Sequence, residues 1–223
     1  MINLTNDVWK DTIPKVMVGV VTYSGKDYCK EEFMSRVRSL TYERYIVEVV
    51  DTTSFEGNSR KKIYEGYELL REHFLTSDCD YLLTLEADII PPRYIIEALM
   101  QHQKDVVGAT YMIGKKKVRF PCISLGFMKR KINGKYERQI NFMRADDLDG
   151  NLIMCEGCGL GCCLIKRKVF DKIKFRLGDV HCDTLFHEDV KNEGMITWVD
   201  TGILCRHFGS YEEWCEVVGK GDF

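Results

Sequence analysis

The first half of this chain alternates short apolar runs with helix-period segments, and that alternation leaves few folds open. Val16 to Thr22 is a nearly continuous apolar run, the pattern of a strand buried on both faces. A helical stretch follows from about Lys26 to Leu40, and Tyr45 to Val50 is the second strand, ending at Asp51-Thr52-Thr53-Ser54. From Ser59 to Phe74 the residues Ile63, Tyr67, Leu70 and Phe74 fall three or four apart, one face of an amphipathic helix. Asp80 to Leu85 reads as the third strand. Arg93 to His102 reads as a helix opened by Pro91-Pro92, and Asp105 to Tyr111 as a further strand. Strand and helix in strict turn predict an α/β fold, a parallel sheet with right-handed crossovers.

The second half changes character. Lys129 to Asn141 alternates around Asn133-Gly134, the strongest short hairpin signal. Asp149-Gly150 repeats the device before Leu152 to Cys155, and Cys162 to Ile165 reads as a buried strand. Helices are expected at Lys166 to Lys174 and Asp183 to Glu193, the latter closed by Gly194. A strand at Met195 to Val199 and a tail from Thr201 to Phe223 complete the pattern. The basic residues Lys115 to Lys117 and Lys129 to Lys131 read as a solvated face, or as contacts for an anionic acceptor. With no repeat or low-complexity linker, one domain is expected over residues 1–223, in two halves of about 14–112 and 113–223.

A chain of 223 residues can bury one sizeable core. Its net charge of −2 gives no argument for nucleic acid or an anionic membrane surface. No run approaches the roughly 20 apolar residues of a membrane span. The stretch from Met1 to Asp11 lacks the basic start and apolar core of an export signal. A cytoplasmic protein is the expectation, with attachment to a membrane periphery left open.

Ten cysteines raise the question of metal, above all Cys155-x-x-Cys158 with Cys162 and Cys163 close behind. Glycines 157, 159 and 161 interleave them, and neither a zinc-ribbon nor an iron–sulfur spacing is completed. Buried free thiols are the expectation. A non-catalytic, cysteine-rich metal-binding module stays as an alternative.

Chemistry concentrates where the third strand runs out, at Glu86-Ala87-Asp88. Side chains two apart on a strand point the same way, so both acids should converge at its carboxyl end, where open α/β sheets place ligands. Two acids there suit a hard divalent cation that keeps positions open for phosphate oxygens. The apolar strand, Glu-Ala-Asp, the prolines and the helix behind them resemble the metal-binding DXD segment of GT-A glycosyltransferases, most closely the inverting family 2 type. The resemblance runs along nearly the whole chain. It implies a Rossmann-like, mostly parallel sheet flanked by helices, with a smaller antiparallel portion on the acceptor side.

Residue by residue, the resemblance assigns a nucleotide-sugar site to Val21, Thr22, Tyr23, Asp51, Asn58, Arg60, Glu86 and Ala87. Asp51 falls where the family contacts the nucleotide base; Asn58 and Arg60 precede a helix whose N-terminus would face phosphates. Asp88 is the expected metal ligand, Glu86 a second carboxylate, and His207 a nitrogen ligand favouring Mn2+ over Mg2+. Glu86 departs from the family, which has Asp there. Gly157, Cys158 and Gly159 match the glycine-rich acceptor-side strand. Asp183 aligns with the family's base through the spacing to Phe186 and Gly194, although Cys182 stands where Glu is usual. Glu188 and Asp189 form a competing Glu-Asp pair. The implied reaction moves a sugar from a UDP- or GDP-sugar to an acceptor hydroxyl, the acceptor being a saccharide, a lipid-linked molecule or a protein. The rival enzyme reading is a nucleotidyltransferase, for which Ser24-Gly25-Lys26 is a poor version of the phosphate loop. Trp198 reads as core, and Tyr211 and Trp214 as a cover for the donor or a packed tail.

Overall fold

A computed structural model describes residues 13–115, 118–132 and 135–209. Strands β1 (Val16–Thr22), β2 (Tyr45–Asp51) and β3 (Tyr81–Glu86) lie in parallel with β1 in the middle. Helices α1 (Lys30–Arg38) and α2 (Ser59–Thr76) make the crossovers. A two-residue strand β4 (Ile89–Ile90), helix α3 (Ile95–Met100) and strand β5 (Val106–Lys115) follow. Helix α1 is shorter than the sequence suggests, because Ser24–Lys26 forms a separate 3-10 turn.

The main sheet is not built in sequence order. After β6 (Val118–Pro121), a hairpin of β7 (Ile123–Ile132) and β8 (Lys135–Phe142) and the short strands β9 (Leu152–Cys155) and β10 (Gly157–Cys158), the chain re-enters it as β11 (Cys162–Lys166). Helices α4 (Arg167–Phe170) and α5 (Cys182–Asn192) then lead to β12 (Thr197–His207). The strand order is β2-β1-β3-β11-β5-β12-β4, with β6 on β5 and β9 on β12. Five of the first six run one way and β11 runs against them. The sheet is mostly parallel, as the resemblance implies, and its antiparallel strand lies at the centre: β3 and β5 are not paired with each other, and β11 fills the gap between them. Cys162, Cys163, Leu164 and Ile165 are all buried there, as a strand covered on both faces requires.

Alternation along the strands divides the core. Val16, Val18, Val20, Leu83 and Leu85 pack with Phe33 and Val37 of α1 and Ile95, Ile96 and Leu99 of α3. Met17, Val21 and Leu82 face Tyr67, Leu70 and Phe74 of α2, Phe170 of α4 and Phe186 of α5. Each fully buried side chain of this size contributes about 1.5–3 kcal/mol. Gly19 lies under α2, where a Cβ would overlap the Leu70 methyl groups.

Antiparallel strands β10, β7 and β8 form the smaller sheet. The hairpin of β7 and β8 occurs as read, Ile132 opposite Lys135; its Asn133-Gly134 turn lies outside the described residues. Asp149-Gly150 is not a hairpin: Asp149 accepts from the Asn151 N–H, and β9 pairs with β12. The expected strand at Met195 to Val199 instead continues to His207 through an irregularity between Asp200 and Leu204. Trp198 is half-buried against the core, with Lys104 Nζ 4.0 Å from its ring. The side chains at 115–117 and 129–131, and the residues Tyr211 and Trp214, lie outside the described residues. Among the described residues no helix is long and apolar enough to cross a membrane.

Candidate active site

The carboxyl ends of β1, β2, β3 and β12 share one edge of the sheet. Register sets Thr22 beside Asp51 and Val21 beside Glu86. Strand β3 stops at Glu86, so Asp88 lies in the turn to β4 rather than two residues along the same strand. The two acids converge for another reason: a shared partner. Lys26 Nζ lies 2.7 Å from Asp88 Oδ1 and 3.2 Å from Glu86 Oε2. Burial works against the Lys26 charge, but the two carboxylates outweigh it and hold the ammonium above the ordinary lysine range.

His207 is not on a loop. It ends β12, paired with Ile89, and the Phe208 N–H donates to the Asp88 carbonyl at 2.9 Å. That pairing brings His207 Nε2 to 3.6 Å from Asp88 Oδ2. His207 Nδ1 lies 2.8 Å from the Met112 carbonyl. A carbonyl only accepts, so Nδ1 carries the proton and Nε2 faces the acid. Burial pushes Asp88 up, but His207 and Lys26 outweigh it and leave its carboxyl below the usual range. Burial likewise pushes His207 down, and Asp88 reverses that to hold the imidazole above its ordinary value.

Two cavities open on these residues. One, of about 480 Å³, is bordered by Val21, Thr22, Tyr23, Lys26, Thr52 and Thr53; a second, of about 850 Å³, by Tyr111, Gly157, Cys158, Gly159, Asp183 and His207. Ile63, Tyr67 and Glu86 line both, so the cavities meet at Glu86. Gly159 is where a Cβ would overlap the Tyr111 hydroxyl; the glycine lets β5 and the β10–β11 connection close the floor. Asp51 lies just outside the first cavity's lining, its Oδ1 accepting from the Thr53 N–H at 2.9 Å. The Thr53 hydroxyl and N–H hold its carboxyl below the usual range.

Some expected donor residues are turned to other work. Asn58 caps α2, accepting from the Lys61 N–H at 3.0 Å. Arg60 donates to the Asp179 carbonyl at 2.7 Å. Ala87 is buried and offers its carbonyl to the Cys29 thiol at 3.3 Å.

Asp183 stands in the first turn of α5, on the wall of the larger cavity. Its Oδ1 accepts from the Thr184 N–H at 2.7 Å. Enclosure by protein raises its pKa, outweighing that bond, and the nearby Glu86 charge adds to the rise. Arg176 holds the competing acids: it makes a two-point pair with Asp189 at 2.8 and 3.2 Å and meets Glu188, which also lines the larger cavity, at 3.5 Å.

A metal was expected on Glu86, Asp88 and His207. Among the described residues no group of three or more His, Cys, Asp and Glu side chains is arranged to hold an ion alone. Asp88 and the Nε2 of His207 still converge, and the Nδ1–H···O=C bond is the outer contact that orients an imidazole ligand once Nε2 gives up its proton. Two protein donors with open positions suit an ion completed by phosphate oxygens. Lys26 was not among the expected site residues. In sequence it stands out only as the end of Ser24-Gly25-Lys26, a poor version of a phosphate loop, which does not point to a lysine paired with Glu86 and Asp88.

The described cysteines are all free thiols. Cys158 meets Cys163, and Cys162 meets Cys205, pairs inside the core rather than a metal cluster. Beside them His187 is fully buried, Nδ1 2.9 Å from Thr197 Oγ1. Burial holds its pKa down to about 4. The unfolded imidazole takes a proton near pH 6.5. Between those values the unfolded state binds more protons, so stability falls as pH drops through that window, by up to about 3 kcal/mol. His187→Gln should therefore flatten the dependence of urea unfolding on pH between 4.5 and 6.5. Equal slopes in the two proteins would refute this assignment.

The fold is an α/β fold of the GT-A type: a mostly parallel sheet flanked by helices, with a small antiparallel sheet beside it. Three solved structures share it. A197 from STIV is 17% identical with a TM-score of 0.53, over 88% of this chain and 87% of that one. Residues 1–349 of S. aureus TarS give 13% and 0.53, over 91% of this chain and 63% of that one. The same protein in complex with UDP-GlcNAc gives 11% and 0.52, over 88% of this chain and 59% of that one. No protein-family model matches the sequence, and no curated protein matches it.

Proposed function

We propose that this chain is a glycosyltransferase that moves a sugar from a nucleoside-diphosphate donor to an acceptor hydroxyl, with inversion. The observation that carries the reading is the meeting of the two cavities at Glu86, with Lys26 on the smaller one, Asp183 and His207 on the larger, and Asp88 in contact with both Lys26 and His207. A structural neighbour in complex with UDP-GlcNAc supports a nucleotide-sugar as the ligand, and the smaller cavity, at the carboxyl ends of the parallel strands, is where we assign it. There Val21, Thr22 and Tyr23 would flank the nucleoside, with Asp51 at its edge.

Asp88 and His207 would hold a divalent ion, Mn2+ suiting the nitrogen ligand better than Mg2+. When bound, such an ion supplies positive charge against the departing diphosphate without proton transfer. Asp183 takes the proton of the acceptor hydroxyl, and its raised pKa strengthens it for that task. Gly157, Cys158 and Gly159 form the wall along which the acceptor lies.

The test is a thermal-shift panel of UDP, GDP, CMP and dTDP sugars with Mn2+. A donor at one hundred times its Kd adds about 2.7 kcal/mol, or a rise of roughly 5–10 °C for a chain of this size. One nucleotide class should produce it. A panel without any rise would overturn the reading.

A further inference from the structure

We infer that Lys26 is the resident counter-ion of Glu86 and Asp88, and that it leaves them for the diphosphate when a divalent ion and a nucleotide bind together. The inference rests on the donor and metal reading of the same site, and it concerns a residue outside the expected set. Lys26 Nζ sits on the carboxylates that the ion would need, at 2.7 and 3.2 Å. The group is well enclosed: the side chains of Asp88 and Lys26 are only 8% and 16% exposed.

The backbone beneath Lys26 is fastened to the acid turn. The Cys29 thiol donates to the Ala87 carbonyl at 3.3 Å, and the Tyr28 hydroxyl to the Phe208 carbonyl at 3.0 Å. The four-carbon stem can move while that backbone stays. Lys26 also borders the smaller cavity, where phosphate oxygens would offer the ammonium a new partner.

Charge explains why the exchange needs both ligands. With the imidazole of His207 neutral, as a metal ligand must be, one ammonium against two carboxylates leaves a net negative group, which opposes a diphosphate arriving alone. A divalent ion arriving alone must displace a buried ammonium that has nowhere equivalent to go, and desolvating that charge is costly. Together they satisfy every charge, since the ion takes the acids and Lys26 takes the phosphate. Each ligand should therefore strengthen the binding of the other, by the same factor in both directions.

Calorimetric titration of Mn2+ tests this in wild type, Lys26→Met and Lys26→Arg, each without nucleotide and with saturating UDP, folding being checked by circular dichroism. Without nucleotide, the Met variant should bind Mn2+ at least ~10-fold more tightly than wild type, about the effect of 1.4 kcal/mol. The Arg variant should resemble wild type. UDP should tighten Mn2+ binding in wild type and do so far less in the Met variant. Equal Mn2+ affinity in the Met variant and wild type, with UDP still bound, overturns the role of Lys26 and leaves the transferase reading standing. UDP that binds none of the three proteins overturns the transferase reading and the exchange with it.

Discussion

Asp183→Asn should stop sugar transfer while leaving donor binding and the fold intact. Asparagine keeps the volume of the side chain and a carbonyl oxygen for the Thr184 N–H, which donates to Asp183 at 2.7 Å. It has no site for the acceptor's proton. Positioned bases contribute about 10²–10⁴-fold to rate, so turnover should fall by that factor with the nucleotide Kd within about 2-fold. Stability gives an independent readout. Enclosure raises the folded pKa of Asp183, so the folded state binds more protons from the ordinary carboxylate range up to that raised value. The carboxylate then costs stability as pH rises through the window. Asparagine removes that cost, and its melting temperature at pH 7 should equal or exceed that of wild type. Turnover at the wild-type rate would place the base elsewhere. Asp189 is a weak candidate for that place because Arg176 already holds it.

Asp88→Ala should lose both transfer and the Mn2+-dependent stabilisation by nucleotide. Among the described residues Asp88 is the one acid that meets His207 and Lys26 together. Without it, the imidazole and the ammonium are left without the carboxylate between them. Removing one element of the charge that stabilises a leaving group costs about 10²–10³-fold. Wild type and variant can be compared by melting in UDP with Mn2+ and with chelator. A variant that keeps a Mn2+-dependent rise would show that the ion is held by other groups. The pair also predicts a pH effect. Asp88 raises the folded pKa of His207, so the stability this adds is complete below about pH 6.5 and is lost as pH climbs through the raised value. Asp88→Ala should lack that loss on the alkaline side.

The first 112 residues were legible because they follow one rule at a time. Val16–Thr22 and Tyr81–Glu86 are buried on nearly every side chain, and α2 shows its apolar stripe at three- and four-residue spacing. The insertion of β11 was not legible. Cys162 to Ile165 announces a buried strand, but an apolar run carries no address, and pairing partners 79 residues apart, such as Thr84 and Cys163, leave no local trace. His207 is legible as a residue type but falls in the tail expected from Thr201 onward, because the irregularity after Asp200 hides the continuity of β12. Convergence of Glu86 and Asp88 was expected from strand geometry and arises from Lys26, 60 and 62 residues earlier in the chain. Asn58 and Arg60 show the limit of transfer by position: a capping asparagine and a loop-tying arginine look the same in sequence as residues that touch phosphate.

The placement of β11 has a consequence for how the molecule is made. Strand β5 belongs to the first half by position, yet its partners in the sheet are β6, β11 and β12. Until residues beyond 160 arrive, both β3 and β5 present unpaired edges to solvent, the kind of edge that recruits foreign strands. As the chain leaves the ribosome, its first half needs the last third of the sequence to close the sheet. The pairing of His207 with Ile89 likewise makes the candidate site depend on residues beyond 200. A fragment ending near residue 112 should therefore be aggregation-prone, and the two halves should not be separable.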